Sequence, residues 1–428
     1  MGAMRTRRLP GRHRRAETRQ ATYGEVVAIR EFRALWYGQG LSLLGDQLAQ
    51  VALAVLVFDR TGSPLATAAV YALTYLPSIL GGPLLAGLAD RFARRGVMVA
   101  CDLLRAALVA PMAIPGMPFP VLCVLVFAVV LLSAPFSAAR AALLPEILEG
   151  DRYVVGSALQ NMTNQAAQML GFAAGGAVIA AMGPYRALAL DAATFLGSAL
   201  ILVSGVRRRP ATAPESGTRP SMWRMTRAGA VLVFGSKKLR TLVLFAWLCG
   251  FYILPEGIAV PYASRLQAGD LPVPVITGLL MAAMPAGTVV GAFFFSRFVA
   301  PPTRMRVMGW MAMLSCAPLV VTALRPPLAV VLGAWILSGI GGAYQLAANA
   351  AFVQAVPAER RGQAFGLVQS GLMAAQGAGI LIGGFAAERL GPEPVVALAG
   401  ITGTGAAGVL ALMWAGSRAS NRRARAAA

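Results

Sequence analysis

The sequence predicts an all-α integral membrane protein whose twelve transmembrane helices form two pseudo-symmetric six-helix bundles. Three observations predict it. The 428 residues are 57% hydrophobic and 13% charged, too apolar for a soluble chain of this length. Apolar runs of about 20 residues, enough to cross a bilayer as helices, recur from end to end. Residue patterns in the two halves repeat at nearly one offset.

A basic arm, residues 1–33, carries nine arginines and precedes the first span, 34–58. That span lacks the short apolar core and small-residue cleavage site of a signal peptide, so it reads as a mature helix. Spans at 65–89, 96–114, 119–143, 156–181 and 186–206 complete a first bundle, 34–206. The longest non-spanning stretch, 207–238, follows. Its front, 207–221, is rich in Pro, Arg, Ser and Thr and reads as a flexible cytoplasmic linker. Its back, 222–234, alternates basic and apolar residues, which suits a helix lying on the inner membrane surface; a disordered linker is the alternative. Spans at 239–264, 273–299, 306–324, 327–352, 364–388 and 394–415 form the second bundle, 239–416, and a basic tail, 417–428, ends the chain.

A net charge of +21 invites a nucleic-acid partner, but its distribution excludes one. With alternate loops on alternate sides, 32 of the 38 Lys and Arg residues fall on the side that holds both termini. The opposite loops hold five, Arg60, Arg186, Arg265, Arg325 and Arg389, and Arg105 lies inside the third span. This bias predicts cytoplasmic termini and contact with membrane lipids, anionic ones included. A DNA-binding patch would need one contiguous face. Cys101, Cys123, Cys249 and Cys316 have no paired spacing and read as small core residues, not as disulfides or a metal site. Only two basic residues are lysines, a skew that fits a GC-rich bacterial genome. There is no H-E-x-x-H, G-x-S-x-G or phosphate-loop pattern, and the sole histidine is His13 in the basic arm. The expectation is no enzyme, no cofactor, no metal and no fused ATP motor.

The halves echo each other. Gln168, Gly171, Gly175 and Gly176 match Gln376, Gly379, Gly383 and Gly384 at an offset of 208. Gly81 and Asp90-Arg91-Phe92 match Gly287 and Ser296-Arg297-Phe298 at 206. Weak internal symmetry of this kind marks transporters built from parallel repeats.

Spans two and three are joined by only six residues, Asp90-Arg91-Phe92-Ala93-Arg94-Arg95, so they are antiparallel neighbours. This hinge resembles the loop between helices 2 and 3 of the major facilitator superfamily, of the form G-x-x-x-D-R-x-G-R-[RK]. Ala86 and Ala93 replace its two glycines, with Gly87 one place late. The resemblance implies a gating motif of Asp90, Arg91, Arg94 and Arg95, with the aspartate meeting the start of helix 11 near 362–365, where the helix dipole favours a carboxylate. An ordinary topogenic basic loop is the alternative. Phe32–Asp46 running on to Asp59–Pro64, then Ala139–Glu146 and Val356–Gly362, resembles bacterial exporters related to the enterobactin exporter and the macrolide efflux proteins. Together the resemblance spans Phe32–Trp414. It implies a monomeric, proton-coupled secondary exporter of a small amphipathic molecule (drug, natural product or siderophore) in the bacterial cytoplasmic membrane, working by alternating access. An importer or lipid-like-molecule flippase of the same fold is the alternative, and a non-transporting sensor is a more distant one.

Ionisable groups at bilayer depth cost at least about 2.5 kcal/mol each, so each needs a reason. Asp46 lies 13 residues past Arg33, about 20 Å into the first span. Gln39, Ser42, Asp46 and Gln50 form one polar stripe. It is either a cavity wall with a titratable group or a structural carboxylate capped by neighbouring helices. Glu256 sits in Leu254-Pro255-Glu256-Gly257 with Pro261 after it, which suits a broken helix lining a cavity; reaching water at the outer end is the alternative. Asp46 and Glu256 are the proton-coupling candidates. Asp191 is expected to steady the outer end of the sixth span, and Asp102 and Arg105 to neutralise each other along one helix. In the superfamily helices 1, 4, 7 and 10 face the central cavity. The cavity-lining candidates are Gln39, Ser42, Gln50, Ser137, Arg140, Asn161, Asn164, Gln168, Tyr252, Tyr344, Gln345 and Asn349.

Overall fold

The computed structural model describes residues 21–75, 77, 92–209, 222–266, 269–357 and 360–426, and no β-strand occurs among them. Eleven helices of the described residues are long and apolar enough to cross a bilayer. In chain order these are α1 (Arg30–Thr61), α3 (Arg94–Ala113), α4 (Phe119–Ile147), α5 (Asp151–Met182), α6 (Pro184–Gly205) and α7 (Lys237–Gly257). Then come α8 (Val273–Phe298), α9 (Pro301–Leu324), α10 (Leu328–Ala355), α11 (Ala364–Leu390) and α12 (Pro392–Gly416). The second predicted span begins as α2 (Pro64–Ala72), and residues 78–91 lie outside the described ones.

Local sequence explains the corners. Gly62 ends α1 in the left-handed region that glycine adopts without strain, and the Ser63 hydroxyl then accepts from the Ala66 amide with Pro64 in the first turn of α2. Gly183-Pro184 turns α5 into α6 and Gly391-Pro392 turns α11 into α12, both glycines at positive φ. These corners stand 208 residues apart, the offset already seen in the glycine pattern.

Packing shows why that pattern repeats. Gly171 and Gly175 of α5 admit α1 at Gln47 and Leu48, while Gly379 and Gly383 of α11 admit α7 at Gly250 and Leu254. The third glycine of each set faces the other half: Gly176 meets Pro274 and Gly278 of α8, and Gly384 meets Leu65 and Ala68 of α2. A Cβ on Gly176 would strike the Pro274 carbonyl, so only glycine permits this backbone approach.

The start of α1 and the end of α12 lie on one face. The start of α1 adjoins the end of α6, where the Arg207 amide donates to Glu31 at 2.8 Å. The end of α12 adjoins the start of α9, where the Trp414 indole donates to the Met305 carbonyl at 3.0 Å. We call this the terminal face and the opposite one the far face. On the terminal side the helix Met222–Gly235 precedes α7 and touches it through Phe234 and Trp247, whose ring centroids are 6.2 Å apart. Helices α9 and α12 turn Trp310, Val409 and Leu412 outward, as helices bathed in lipid do.

Candidate functional site

Two buried carboxylate centres stand out, one inside the first half and one between the halves. The first begins with the polar stripe of α1, which the fold divides between two neighbours. Gln39 donates to Asn164 of α5 at 2.8 Å. Asp46 accepts from the Arg105 guanidinium of α3 at 2.6 Å, and Ser42 lies 3.4 Å from the same group. Gln50 is half-buried. The Arg105 guanidinium also sits 4.1 Å from the centroid of the Phe195 ring of α6, a cation–π contact in a dry setting.

The expected pairing of Asp102 with Arg105 along α3 does not form. Asp102 instead accepts from the Ser198 hydroxyl of α6 at 2.6 Å, with its second oxygen buried and without a partner. Three residues of spacing permits an intrahelical pair, but the arginine stem is long enough to reach another helix. At bilayer depth it does so, neutralising a carboxylate that has no other cation partner among the described residues. Asp191 is not at the helix end either. It is buried two turns into α6 at the crossing with α1, against Gly45, and receives the Thr194 hydroxyl at 3.3 Å. Asp46 and Arg105 act on it electrostatically. The guanidinium thus bonds one carboxylate and acts electrostatically on two more.

The second centre is built on a broken α7. Pro255 and Pro261 remove backbone donors, and the chain passes through short turns at Cys249–Tyr252, Leu254–Gly257 and Ala259–Ala263. Glu256 in the middle turn is 3% exposed, so it does not reach water. Its carboxylate accepts from the Tyr71 hydroxyl of α2 at 2.8 Å, across the interface between halves. A second acid, Glu388 near the end of α11, accepts from the Ser63 hydroxyl at 2.8 Å and the Leu65 amide at 3.1 Å. It caps the start of α2 from the other half, where a helix N-terminus favours an anion.

The remaining candidates divide by exposure. Tyr344 is fully buried, its hydroxyl on the Phe245 carbonyl at 2.7 Å, and it packs α10 on α7. Tyr252 is buried and accepts from Gln345 at 2.7 Å. Ser137, Asn161 and Asn349 are exposed, and Arg140, Asn164 and Gln168 are half-buried. Gln345 and Asn349 line a cavity of about 350 Å³ between α7, α10 and α11, together with Gln369, Phe352 and Phe365. Phe352 and Phe365 place this cavity toward the terminal face.

Of the gating motif, Asp90 and Arg91 lie outside the described residues, as do the side chains of residues 362 and 363 just before α11. Arg94 pairs with Glu146 of α4 and donates to the Ala142 carbonyl at 3.1 Å. Arg95 donates to the Val203 carbonyl of α6. Both fasten the start of α3 to its own half.

Sequence reasoning misses Tyr71, Glu388 and Gln369. Gln369 carries a usable signal, since it stands 208 residues after Asn161 and so repeats a polar position of α5. Tyr71 and Glu388 carry none that we can identify, because their partners are 185 and 325 residues away.

Comparison with known proteins adds three findings. The family model of the Major Facilitator Superfamily matches residues 35–300 and 258–428. The multidrug efflux pump Tap of Mycobacterium tuberculosis is 29% identical over 362 residues, covering 80% of this chain and 84% of that protein. Macrolide efflux protein A of Streptococcus pyogenes is 22% identical over 374 residues, covering 84% and 90%. Among solved structures, a bacterial homologue of the human lysosomal transporter Spinster, inward-facing and unoccupied, superposes with a TM-score of 0.65 at 15% identity over 92% of this chain and 96% of that one. A peptide transporter bound to alafosfalin gives 0.71 at 16% identity over 92% and 95%. At these identities the structural likeness speaks for the fold.

Proposed function

This chain belongs to the major facilitator superfamily, and from that premise we propose that it exports a small amphipathic molecule by alternating access, driven by protons. As a family member it is a membrane transporter of small molecules and not an enzyme. The observation that most supports alternating access is that the cross-half contacts named here, among the described residues, gather on one side. The cross-half contacts Tyr71–Glu256, Ser63–Glu388 and Gly176–Gly278 all lie toward the far face. The largely apolar cavity that carries Gln345, Asn349 and Gln369 lies toward the terminal face. Assigning the terminal face to the cytoplasm follows the distribution of basic residues, and the far face is then the outer one. Two halves, 34–206 and 239–416, would rock about their interface while 207–238 tethers them, with no need for a second copy of the chain.

Export, rather than import, is supported by the names of the two curated relatives. A sparsely charged cavity suits an amphipathic cargo.

Glu256 is the stronger coupling candidate of the two. Asp46 already holds a cation at 2.6 Å, whereas Glu256 faces a hydroxyl from the other half. An ionised acceptor makes a hydrogen bond about twice as strong as a neutral one. Ionised Glu256 therefore favours the closed far face and its protonated form favours opening. A proton entering down the potential supplies about 2.3 kcal/mol per 100 mV. In inverted vesicles, cargo uptake should collapse with a protonophore and fall at least tenfold in Glu256→Gln. Uptake that survives both the protonophore and the pair Glu256→Gln with Asp46→Asn rejects proton coupling.

A further inference from the structure

Between the start of α3 and the end of α6, at the terminal face, lies a cavity of about 610 Å³. Arg95, Arg208 and Arg209 rim it, and Val99, Leu103 and Val203 floor it. We propose that this cavity binds an anionic phospholipid, its phosphate among the arginines and an acyl chain along the floor.

Four features select that ligand. First, basic charge is concentrated here: Arg94, Arg95, Arg207, Arg208 and Arg209 gather, and among the described residues the carboxylates paired with them are Glu31, by Arg207 and Arg209, and Glu146, by Arg94 and Arg209. Second, one Arg209 terminal nitrogen is buried and unpartnered although the other binds Glu31 at 2.6 Å. Third, α3 begins without a side-chain cap, and Ala93 and Gly96 line the cavity, so the first turn of α3 borders the same space. Free amides and a helix N-terminus bind phosphate oxygens well. Fourth, the floor runs along the membrane face of α3, where Leu103 is 47% exposed. A soluble anion would leave that floor uncovered, and a zwitterionic lipid would leave the arginines uncompensated. The site uses only the first half and the first residues of the 207–238 segment, so it stands or falls separately from the transport reading.

The test uses the full-length chain purified into phosphatidylcholine nanodiscs. Phosphatidylglycerol retention is read by native mass spectrometry and the melting temperature is followed as that lipid is added. One phosphatidylglycerol should be retained in preference to phosphatidylcholine, with a saturable rise in melting temperature. Arg208→Gln should weaken binding about fivefold and Arg95→Gln with Arg208→Gln about 25-fold, in line with the pull of each basic residue on an anionic lipid. Arg208 is exposed, so Arg208→Gln keeps the test decisive should the double variant fold poorly. Arg325→Gln, at the far face, should change nothing. Equal retention of both lipids, unchanged binding in Arg208→Gln, or the same thermal shift from inorganic phosphate or glycerophosphate would each overturn the proposal.

Discussion

The two buried carboxylate centres solve one problem in opposite ways. Asp46 is neutralised inside its own half by Arg105 at 2.6 Å, with α3 and α6 closing around the pair. Glu256 is met by a neutral hydroxyl that belongs to the other half. An ion pair within a half survives any rocking of that half as a rigid body, so it can serve both conformations. A hydrogen bond between halves must break when they part. On the proposed alternating-access reading the first centre serves stability and the second switching, and the comparison can be broken at either end.

The largest effect is expected at Arg105. Replacing it with methionine keeps much of the stem and removes the cation that pairs with Asp46 and acts electrostatically on Asp102 and Asp191. Stranding one partner of a buried pair costs about 3–5 kcal/mol. A large drop in melting temperature in detergent should follow, and Asp46→Asn in the same chain should recover part of it, because the two changes share one interaction. If Arg105→Met melts like the parent chain, the centre is not the structural pair described here.

The Glu256 end is expected to respond in another way. Tyr71→Phe removes one hydroxyl and leaves the ring packed, at a cost of about 1–1.5 kcal/mol to the closed far face. Melting should change little, but the far-open population should rise about tenfold. Spin labels placed on the far ends of α2 and α11 would report this as a longer distance. Combining Tyr71→Phe with Glu256→Gln should add little to either alone. Full additivity would mean that the two groups do not act through each other.

Much of this architecture is legible in the sequence, and the reasons for the exceptions are physical. Length and apolarity reveal the spans because bilayer thickness imposes both. Pro255, Gly257 and Pro261 announce the break in α7 because backbone rules are local. The glycine offset of 208 reflects a packing rule met twice, once by α5 and once by α11. Partner choice is different. Asp102 is the nearest acid to Arg105 in sequence, yet the guanidinium goes to Asp46, 59 residues away, because helix rotation and stem length decide. Tyr71 looks like one more aromatic in an apolar run until the halves are docked. The hinge motif remains divided: Arg94 and Arg95 are placed, whereas Asp90 and Arg91 lie outside the described residues.

The smallest effect should come from Glu388, and it sharpens the contrast most finely. Its carboxylate caps α2 from the opposite half, receiving the Ser63 hydroxyl and the Leu65 amide. The Ser63 hydroxyl meanwhile accepts from the Ala66 amide within α2. Removing an N-cap partner costs about 1 kcal/mol, but Glu388 is exposed and water can replace part of what it supplies. Glu388→Gln should therefore raise the far-open population only about two- to threefold, read by the same labels. Added salt should produce a similar rise in the parent chain, since an exposed anion at a helix end is screened while buried Glu256 is not. Salt sensitivity that persists in Glu388→Gln would show that the screened contact lies elsewhere on the far face.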